Sequence, residues 1–415
     1  MKVLIIGAVP HSLVNFRGAL IQRIAGMGHK VFTAANGCDV DTETSLREMG
    51  VEYCSIRMAR AGMNPFADLA TLVDMVQLMK RVRPDCMLAY TIKPVIYGGL
   101  AARLCGIKRV FSMVTGMGYA FGNSNAVRGR IARLAAGFLY RASLKISERV
   151  FFQNPDDCRE FSEMKLVKPE QCVVVSGSGV DLETFPFQPP TGREGVRFLL
   201  IARLLRDKGI GEYAAAARML KQRCPRAEFH VVGPFDPNPA GLKPQEIRAW
   251  EAEGLIRYHG AQTDVRPFLR ECDVYVLPSY REGTPRTVLE AMATGRAIIT
   301  TDAPGCRETV RRKAAGGDLK PEGLQTNRES GTRSDHPIRV NSCASPGEPL
   351  QVGMNGILVP VKSIEALVEA MVFFIEHPEQ ISIMGRESRR YAEDRYDVHK
   401  VNAVMLKEMG LIATT

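Results

Sequence analysis

Short apolar runs alternate with stretches of helical periodicity along the whole chain. We interpret as strands the runs 2–7, 30–35, 51–56, 86–91, 109–115, 150–153 and 172–176 in the first half, and 196–201, 227–232, 256–259, 273–277, 297–301 and 357–361 in the second. Repeated strand–helix alternation is typical of parallel sheets covered by helices on both faces. The pattern therefore predicts an α/β protein.

The alternation is interrupted near 185–194, where the sequence FPFQPPTGRE concentrates proline and polar residues. Such a composition is typical of a linker, and a chain of 415 residues is long enough for two domains. We expect two doubly wound domains that face each other across a cleft, over 1–187 and 188–385. The remaining residues, 386–415, continue as a helical C-terminal segment.

A second interruption lies at 313–351, a segment rich in Gly, Ser, Pro, Arg and Asn that lacks apolar periodicity. Segments of this length without secondary structure are usually functional loops or disordered insertions when they occur inside a compact domain. We interpret the segment as a disordered surface insertion in the second domain. A lid over a binding site is the alternative.

Composition narrows the class of protein. Hydrophobic residues make up 45% of the chain and charged residues 24%, as in soluble globular proteins. No apolar run approaches the roughly 20 residues that span a bilayer, and the short run after Lys2 is interpreted as the first strand rather than a leader. The ten cysteines include no C-x-x-C pair, which argues against zinc and disulfide frameworks and favours a reducing cytoplasm.

The net charge of +10 is unevenly distributed. Between Arg103 and Arg149 there are nine basic residues and one acid, Glu148. Within this stretch, 127–146 interleaves Arg and Lys with apolar residues at helical spacing, which favours a basic amphipathic helix on an anionic membrane surface. A helix packed on its own domain with a solvated basic face is the alternative. Nucleic acid is not an expected partner, because no nucleic-acid motif accompanies the basic residues.

Two carboxylates, Glu282 and Glu290, bracket the sequence EGTPRTVLE. The apolar run 273–277 precedes them and an apolar helical pattern follows, so the order is strand, loop with Glu282, and helix with Glu290. A helix N-terminus favours an anion such as a diphosphate, and carboxylates accept hydrogen bonds from hydroxyl groups. The unit therefore suits a ligand that is part phosphate and part polyol, such as a sugar nucleotide, although solvated surface carboxylates would give the same pattern.

A basic pair lies upstream, where the strand 196–201 is followed by ARLLRDKG. Arg203 and Lys208 flank this strand-to-helix connection, which is the usual place for a phosphate site in a doubly wound sheet. The planar fork of Arg and the point charge of Lys both suit a diphosphate. By contrast, the loop after the first strand reads GAVPHS and lacks G-x-G-x-x-G, so a nicotinamide-dependent dehydrogenase is not expected.

The sequence IARLLRDKG followed by PSYREGTPRTVLEAM resembles the retaining glycosyltransferases of family 4, which share an R-x4-K pair and an E-x7-E motif. The resemblance extends to ARAGMNPF at 59–66, YTIKPVIYG at 90–98, VTGMGYAF at 114–121 and GPFDPNP at 233–239. These stretches are similar to the bacterial branch that adds a sugar to polyprenyl-diphosphate-linked glycans, including N-acetylgalactosaminyl transferases of protein glycosylation. The resemblance implies the GT-B fold, with an acceptor-binding domain first and a nucleotide-sugar domain second.

The resemblance also implies roles for individual residues. Arg203 and Lys208 would stabilise the departing diphosphate, Glu282 would contact the donor sugar, and Glu290 the nucleotide ribose. The expected catalytic residues are Glu282, Arg203 and Lys208. The expected donor-binding residues are these three with Gly283, Thr284, Pro285, Arg286, Thr287 and Glu290, and the acceptor-side candidates are Gly7, Asn15, Lys93 and Gly116. The C-terminal segment 386–415 would cross back to the first domain.

Two departures from the family pattern limit what is carried over. Ile92 occupies the position where many family-4 enzymes have a His near the donor sugar, so Lys93 is the remaining polar candidate there. The D-x-D sequence formed by Asp39 and Asp41 lies among polar loop residues, and no metal or other cofactor is expected.

The sequence thus predicts a retaining transferase that moves a hexose or N-acetylhexosamine from a UDP-sugar to a lipid-linked glycan. Such a reaction would serve the assembly of a cell-surface polysaccharide or of a glycoprotein glycan. We expect a cytoplasmic protein, peripheral at the inner face of the cell membrane. A non-hydrolysing UDP-sugar epimerase of GT-B fold and a catalytically silent sugar-nucleotide-binding protein are the alternatives.

Overall fold

The computed structural model describes residues 1–37, 40–59, 64–116, 137–313 and 350–412, which form two seven-stranded sheets. The first sheet has the order β3-β2-β1-β4-β5-β6-β7 and all its pairings are parallel. Its strands are β1 Lys2–Ile6, β2 Lys30–Ala35, β3 Glu52–Ser55, β4 Cys86–Tyr90, β5 Arg109–Val114, β6 Arg149–Phe152 and β7 Cys172–Val174. The strand order reverses between β1 and β4, where a doubly wound sheet opens a crevice for ligands.

The second sheet has the order β10-β9-β8-β11-β12-β14-β13 and is parallel except for the pairing of β13 with β14. Its strands are β8 Arg197–Ile201, β9 Glu228–Val232, β10 Arg257–Tyr258, β11 Val274–Leu277, β12 Ala297–Thr301, β13 Gln351–Val352 and β14 Gly356–Val359. Here the strand order reverses between β8 and β11, so this domain also presents a crevice.

Helices cover the faces of both sheets. Those of the first domain are α1 Pro10–Gly26, α2 Val40–Glu48, α3 Pro65–Val82, α4 Ile92–Leu104 and α5 Pro155–Glu163, with a further helical segment over 137–144. Those of the second are α6 Ile210–Lys221, α7 Pro244–Ala252, α8 Arg266–Glu271, α9 Arg286–Thr294, α10 Ile364–Glu376 and α11 Pro378–Tyr391. Two of them begin as the sequence favours: α3 and α5 each have Pro in the first turn and an Asn cap, Asn64 or Asn154, whose side chain accepts backbone N–H bonds.

The C-terminal segment returns to the first domain. A π-helical turn, Ala392–Tyr396, leads into α12, Val398–Glu408. Met405 and Leu406 of α12 are buried in the same apolar cluster as Ile5 of β1. Nε of Arg149 lies 2.9 Å from Oε2 of Glu408. The chain therefore ties its last helix to the first sheet.

The α/β, GT-B-like fold predicted from the sequence is confirmed, and all thirteen predicted strands occur. Two of them, β2 and β12, have the predicted bounds, and the others have shifted ends. The strand β13 was not predicted. The predicted insertion 313–351 is one residue too long at its C-terminal end, because β13 begins at Gln351. Lys313 and Leu350 also belong to the described chain. The rest of that segment, 314–349, lies outside the described residues.

Candidate active site

A cavity of about 380 Å³ opens between the two sheets and is lined by residues of both domains. It lies where the loops after β4, β8 and β11 meet, at the points where both strand orders reverse. The first domain lines it with residues that include Ser12, Phe16, Arg17, Tyr90, Thr91, Thr115 and Gln153, and the second with residues that include Arg203, Lys208, Glu282, Gly283, Thr284, Pro285, Arg286 and Thr287.

Lys208 and Glu282 form an ion pair on the second-domain wall. Nζ of Lys208 lies 2.6 Å from Oε1 of Glu282, and the two side chains are only 15% and 16% exposed. Burial disfavours the charged form of Lys208, but the adjacent carboxylate prevails and raises its pKa above the usual value. The cation is therefore retained beside the cavity at neutral pH.

The chain conformation before α6 holds Lys208 in place. Lys208 ends a short 3₁₀ turn and Gly209 follows in a left-handed conformation, with φ of 71°. A Cβ at Gly209 would lie 2.2 Å from the carbonyl oxygen of Pro278, at the end of β11, so only glycine fits at this position. The loop after β8 and the loop after β11 are thereby held together.

The other two cations of this wall also have carboxylate partners. Nη1 of Arg203 lies 2.6 Å from Oδ2 of Asp236, and the Arg203 side chain is 47% exposed. Nε of Arg286 lies 2.8 Å from Oε1 of Glu290, one turn further along α9. Burial raises the pKa of Glu290 above its usual range, although Arg286 opposes the shift. Arg286 also extends towards the first domain, where its guanidinium lies 5.2 Å from the ring centre of Phe16.

The loop before α9 packs directly against the first domain. Thr284 donates a 2.8 Å hydrogen bond from Oγ1 to the carbonyl oxygen of Gln153, and Asn154 donates from Nδ2 to the carbonyl oxygen of Gly283 at 2.8 Å. A Cβ at Gly283 would lie 2.5 Å from the carbonyl oxygen of Thr115, so the close approach of the two backbones requires glycine. Arg286 and Thr287 follow in the first turn of α9, where backbone N–H groups have no carbonyl partner within the helix.

A cluster of ion pairs lies beside this loop. Arg281 donates from Nη2 to Oδ1 of Asp157 and to Oε2 of Glu160, both on α5 of the first domain. Nη1 of Arg307, in the second domain, lies 2.7 Å from Oδ2 of Asp156. The Asp157 side chain is fully buried, and burial raises its pKa although Arg281 opposes the shift. These contacts fix the loop that carries Glu282 relative to the first domain.

The first-domain wall carries polar groups of a different kind. Oγ of Ser12 lies 2.8 Å from the hydroxyl oxygen of Tyr90. The Arg17 side chain is 2% exposed and its guanidinium lies 5.4 Å from the ring centre of Tyr90. Thr91, which precedes α4, has a φ of 70° and a ψ of 164°, a conformation that side-chain-bearing residues rarely adopt. A strained residue is thus held at the edge of the cavity.

Eight of the nine predicted donor-binding residues line the cavity, whereas Glu290 does not and reaches it only through its ion pair with Arg286. The acceptor-side candidates are scattered. Gly7 is buried against the Tyr90 hydroxyl, Asn15 is exposed, and neither lines the cavity. Nζ of Lys93 is 2.7 Å from Oδ1 of Asp68 on α3, and Lys93 is absent from the cavity lining. Gly116 faces the backbone of Gly283 beside the lining residue Thr115.

Arg17 and Thr91 were not singled out from the sequence. A usable signal existed for Arg17, because it falls between Leu13 and Leu20 at helical spacing and so lies on the apolar face of α1. A cation in that position is buried when the helix packs. For Thr91 the sequence carried no such signal, since the unusual backbone conformation arises only when β4 and α4 are in place.

Two predictions about other sites fall partly outside the described residues. Asp39 of the D-x-D sequence lies outside them, and so do residues 127–136 of the predicted basic helix 127–146. Among the described ranges, no group of three or more His, Cys, Asp or Glu side chains is arranged to hold a metal ion. No helix in the same ranges is both long and apolar enough to cross a bilayer.

Comparison with known protein families identifies a matching family for each of the two domains. The family described as glycosyl transferase 4-like matches residues 2–154, and the family described as glycosyl transferases group 1 matches residues 195–324. Together the two matches span more than half of the chain and place one family description on each sheet.

Two curated relatives have names that specify lipid-linked sugar substrates. Over 320 residues the chain is 29% identical to the N,N'-diacetylbacillosaminyl-diphospho-undecaprenol alpha-1,3-N-acetylgalactosaminyltransferase of Campylobacter jejuni, covering 74% of this chain and 82% of that protein. Over 261 residues it is 26% identical to the UDP-Gal:alpha-D-GlcNAc-diphosphoundecaprenol alpha-1,3-galactosyltransferase of Escherichia coli, covering 60% and 66%.

Solved structures share the fold. HepE of Anabaena in complex with UDP and glucose superimposes with a TM-score of 0.71 at 15% identity, covering 99% of this chain and all of that one. WaaG, a glycosyltransferase involved in lipopolysaccharide biosynthesis, superimposes with a TM-score of 0.66 at 15% identity over the full length of both chains. Fold and cavity together define a two-domain α/β protein of the GT-B class. The chain belongs to the group 1, family-4-like glycosyltransferases.

Proposed function

We propose that this glycosyltransferase moves a hexose or N-acetylhexosamine from a UDP-sugar to a polyprenyl-diphosphate-linked glycan, with retention of configuration at the anomeric carbon. The observation that carries the proposal is the pairing of Lys208 with Glu282 on one cavity wall, between Arg203 and the first turn of α9. This wall offers two cations and backbone amides to a diphosphate and a carboxylate to sugar hydroxyls. The curated relatives, whose names specify undecaprenyl-diphosphate-linked substrates, support the acceptor class.

The chemistry follows from the charge that develops during transfer. Breaking the bond between the sugar C1 and the phosphate gives the sugar oxocarbenium character and leaves negative charge on the diphosphate. Lys208 and Arg203 stabilise that negative charge, and preorganised cations of this kind favour the transition state over the ground state. The departing diphosphate takes the proton of the acceptor hydroxyl, which attacks C1 on the face that the phosphate leaves. No metal ion is required, because the side chains supply the positive charge.

Glu282 and Glu290 divide the recognition of the donor. Glu282 adjoins the cavity and accepts hydrogen bonds from hydroxyls of the transferred sugar, while Glu290 lies one turn into α9 and serves the ribose. The close approach of Gly283 to Thr115 keeps the loop that carries Glu282 next to the first domain.

A direct assay tests the donor and the acceptor together. The wild-type protein is incubated with a panel of UDP-sugars and a short polyprenyl-diphosphate disaccharide, with and without EDTA, and products are followed by mass. We expect one added sugar with one donor, unaffected by EDTA and formed much more slowly by Lys208→Ala. Conversion of a UDP-sugar to its epimer without acceptor would replace the proposal by the epimerase alternative. Binding without turnover of any kind would support a silent binding protein.

We further propose that the first domain contacts an anionic membrane, where a lipid-linked acceptor is presented, at the inner face of the cell membrane. Of the basic stretch 127–146, the structure describes the last ten residues. There Phe138 is 73% exposed, and Arg141 and Lys145 are exposed at spacings of three and seven residues from it. An apolar ring beside two cations suits the interface of an anionic bilayer.

Vesicle binding tests the membrane contact. Arg141→Glu with Lys145→Glu should abolish sedimentation with anionic vesicles at low salt, because each cation gains roughly 1 kcal/mol near anionic lipid. The matched control is Arg223→Glu with Arg248→Glu, two exposed residues of the second domain with the same charge change. Equal sedimentation of the two double variants would remove the membrane contact and leave the transferase assignment intact.

A further inference from the structure

Arg17 is the cavity cation whose positive charge has no carboxylate beside it in the part of the chain that the structure describes. The three cations of the opposite wall, Arg203, Lys208 and Arg286, are each within 2.8 Å of a carboxylate oxygen. Arg17 lies on α1 of the first domain, lines the same cavity and is only 2% exposed. Its charge is thus the least compensated of the four.

The groups that do contact Arg17 are weak partners. Nη2 of Arg17 lies 2.6 Å from Sδ of Met113, and a thioether sulfur is a poor acceptor. The Tyr90 ring offers its face to the guanidinium at 5.4 Å. Nε of Arg17 is buried and has no hydrogen-bond partner among the described residues.

Thr91, on the same cavity wall, also has a buried polar atom without a partner. Its Oγ1 is also buried without a hydrogen-bond partner among the described residues, and Thr91 also lines the cavity. Buried polar atoms in native proteins nearly always have partners, so two orphan groups at one cavity wall indicate a missing ligand. The strained backbone of Thr91 fits this interpretation, because strain is retained where it serves a binding site.

Arg17 remains charged despite its burial. Burial, together with the nearby positive charge of Arg286, lowers the pKa of Arg17 to about 10, although Tyr90 opposes the shift. At neutral pH the guanidinium therefore still carries a full charge. An unpaired buried charge is costly, and an anion entering the cavity would offset that cost.

We propose that Arg17, together with the hydroxyl group of Thr91, binds a phosphate group of a substrate diphosphate from the first-domain side of the cavity. The inference rests on the proposed function, in which both substrates carry a diphosphate. A planar guanidinium has the geometry to hold two phosphate oxygens at once, and the Thr91 hydroxyl donates a third hydrogen bond. The source of the phosphate is either the donor nucleotide or the polyprenyl diphosphate of the acceptor.

A purely structural arginine is the competing explanation, and Arg296 shows what one looks like in this chain. Arg296 is also fully buried, but it lies outside the cavity lining and donates to the backbone carbonyl oxygens of Cys272, Gln188 and Thr294. Nε of Arg296, like that of Arg17, has no hydrogen-bond partner among the described residues. The difference lies in the terminal nitrogens, which donate to backbone carbonyl oxygens in Arg296, whereas Nη2 of Arg17 has only the sulfur of Met113. The two residues therefore respond differently to replacement by an apolar side chain of similar length.

The test compares Arg17→Met, Arg17→Lys and the control Arg296→Met. Binding of UDP and of inorganic pyrophosphate is measured by calorimetry, and stability by thermal unfolding without ligand. Arg17→Met should melt no lower than the wild type, because replacing an uncompensated buried charge by an apolar group is often neutral or stabilising. It should nevertheless bind pyrophosphate at least tenfold more weakly, with Arg17→Lys in between. Arg296→Met should melt lower and keep its pyrophosphate affinity.

UDP and the acceptor then distinguish the two sources of phosphate. An at least tenfold loss of UDP affinity in Arg17→Met assigns the residue to the donor nucleotide. Unchanged UDP affinity with an at least tenfold higher KM for the polyprenyl-diphosphate acceptor assigns it to the acceptor. Wild-type UDP, pyrophosphate and acceptor constants in a less stable Arg17→Met would overturn the inference alone. Failure of the wild-type protein to bind UDP or pyrophosphate would overturn the proposed function and this inference with it.

Discussion

Nζ of Lys208 and Oε1 of Glu282 lie 2.6 Å apart, so the cation proposed for the diphosphate and the carboxylate proposed for the sugar form one ion pair. The two residues come from different strand-to-helix connections, after β8 and after β11. Each therefore sets the position of the other, and a substitution at either changes both halves of the donor site.

Replacing Lys208 should reduce catalysis more than replacing Arg203. Lys208→Ala removes a buried, preorganised cation and should cost about 2–4 kcal/mol of transition-state stabilisation. Arg203→Ala should cost less, because the Arg203 side chain is 47% exposed and solvent screens its charge. The measurement is kcat/KM for the UDP-sugar with each variant. Unaltered turnover in both would refute the proposed diphosphate site.

Arg281 should stabilise the folded protein through its ion pair with Asp157, which joins the two domains. Arg281→Ala leaves the fully buried carboxylate of Asp157 without its charged partner. Breaking a fully buried pair typically costs about 3–5 kcal/mol, and the cost here should be smaller because the Arg281 side chain is 35% exposed and solvent screens its charge. We expect a lower free energy of unfolding in denaturant titrations. The double variant Arg281→Met with Asp157→Leu removes both charges and should recover most of that loss. If the double variant is no more stable than Arg281→Ala, burial of an unpaired charge is not the cause.

Replacing Thr91 by glycine should increase stability and weaken pyrophosphate binding. With a φ of 70° and a ψ of 164°, Thr91 occupies a region that costs non-glycine residues about 1–3 kcal/mol. Thr91→Gly should therefore raise the free energy of unfolding by roughly 1 kcal/mol, since glycine has its own entropic cost. The same variant loses the hydroxyl group and should bind pyrophosphate more weakly. A less stable Thr91→Gly protein would show that the conformation is not strained.

Local sequence features predicted the fold and the donor loops, whereas long-range contacts were not predictable. Apolar periodicity located every strand except β13, which has two residues and too short a pattern to be recognised. Glu282 and Lys208 were found as motif residues, but their pairing across 74 positions depends on how the two loops pack. Lys93 is predicted as an acceptor-side residue because it is the polar residue beside Ile92. Its pairing with Asp68 on α3 is a long-range contact that no sequence pattern reveals.

Part of the loss of folding stability at acid pH should arise from His230 on β9. Its ring lies beside His259, with 3.0 Å between Nε2 of His259 and Nδ1 of His230, and burial together with the charge of Arg197 lowers the pKa of His230 to about 4. The unfolded chain, with a pKa near 6.5, takes up this proton first. The contribution of the neutral His230 ring to the free energy of unfolding is therefore fully present above about pH 6.5 and is lost as the pH falls towards 4.

His230→Gln should remove part of this decline. Over the window from about pH 6.5 to 4 the wild type should lose roughly 2–3 kcal/mol more than the variant, because one pKa unit corresponds to about 1.4 kcal/mol. The readout is the free energy of unfolding measured by denaturant titration at several pH values. The same change at the exposed His399 serves as the control and should leave the profile unaltered. Parallel profiles for wild type and His230→Gln would contradict the assignment.

The residues before and after 314–349 are hydrogen-bonded to each other. The backbone N–H of Met354 donates to the carbonyl oxygen of Arg311 at 2.8 Å, and the N–H of Arg311 donates to Oδ1 of Asn355 at 2.7 Å. The two flanks therefore lie side by side, and a short turn can connect Lys313 to Leu350 without disturbing β13.

Replacing 314–349 by a short glycine-containing turn should leave activity nearly unchanged. The free energy of unfolding should stay the same or rise by up to about 2 kcal/mol, because a shorter loop costs less closure entropy. Thermal unfolding and turnover of the polyprenyl-diphosphate acceptor are the measurements. A second variant keeps the length but replaces the segment with a Gly/Ser sequence. If both variants fold and both lose activity, the segment acts through its own residues as a lid; if only the short turn loses activity, its length is what matters.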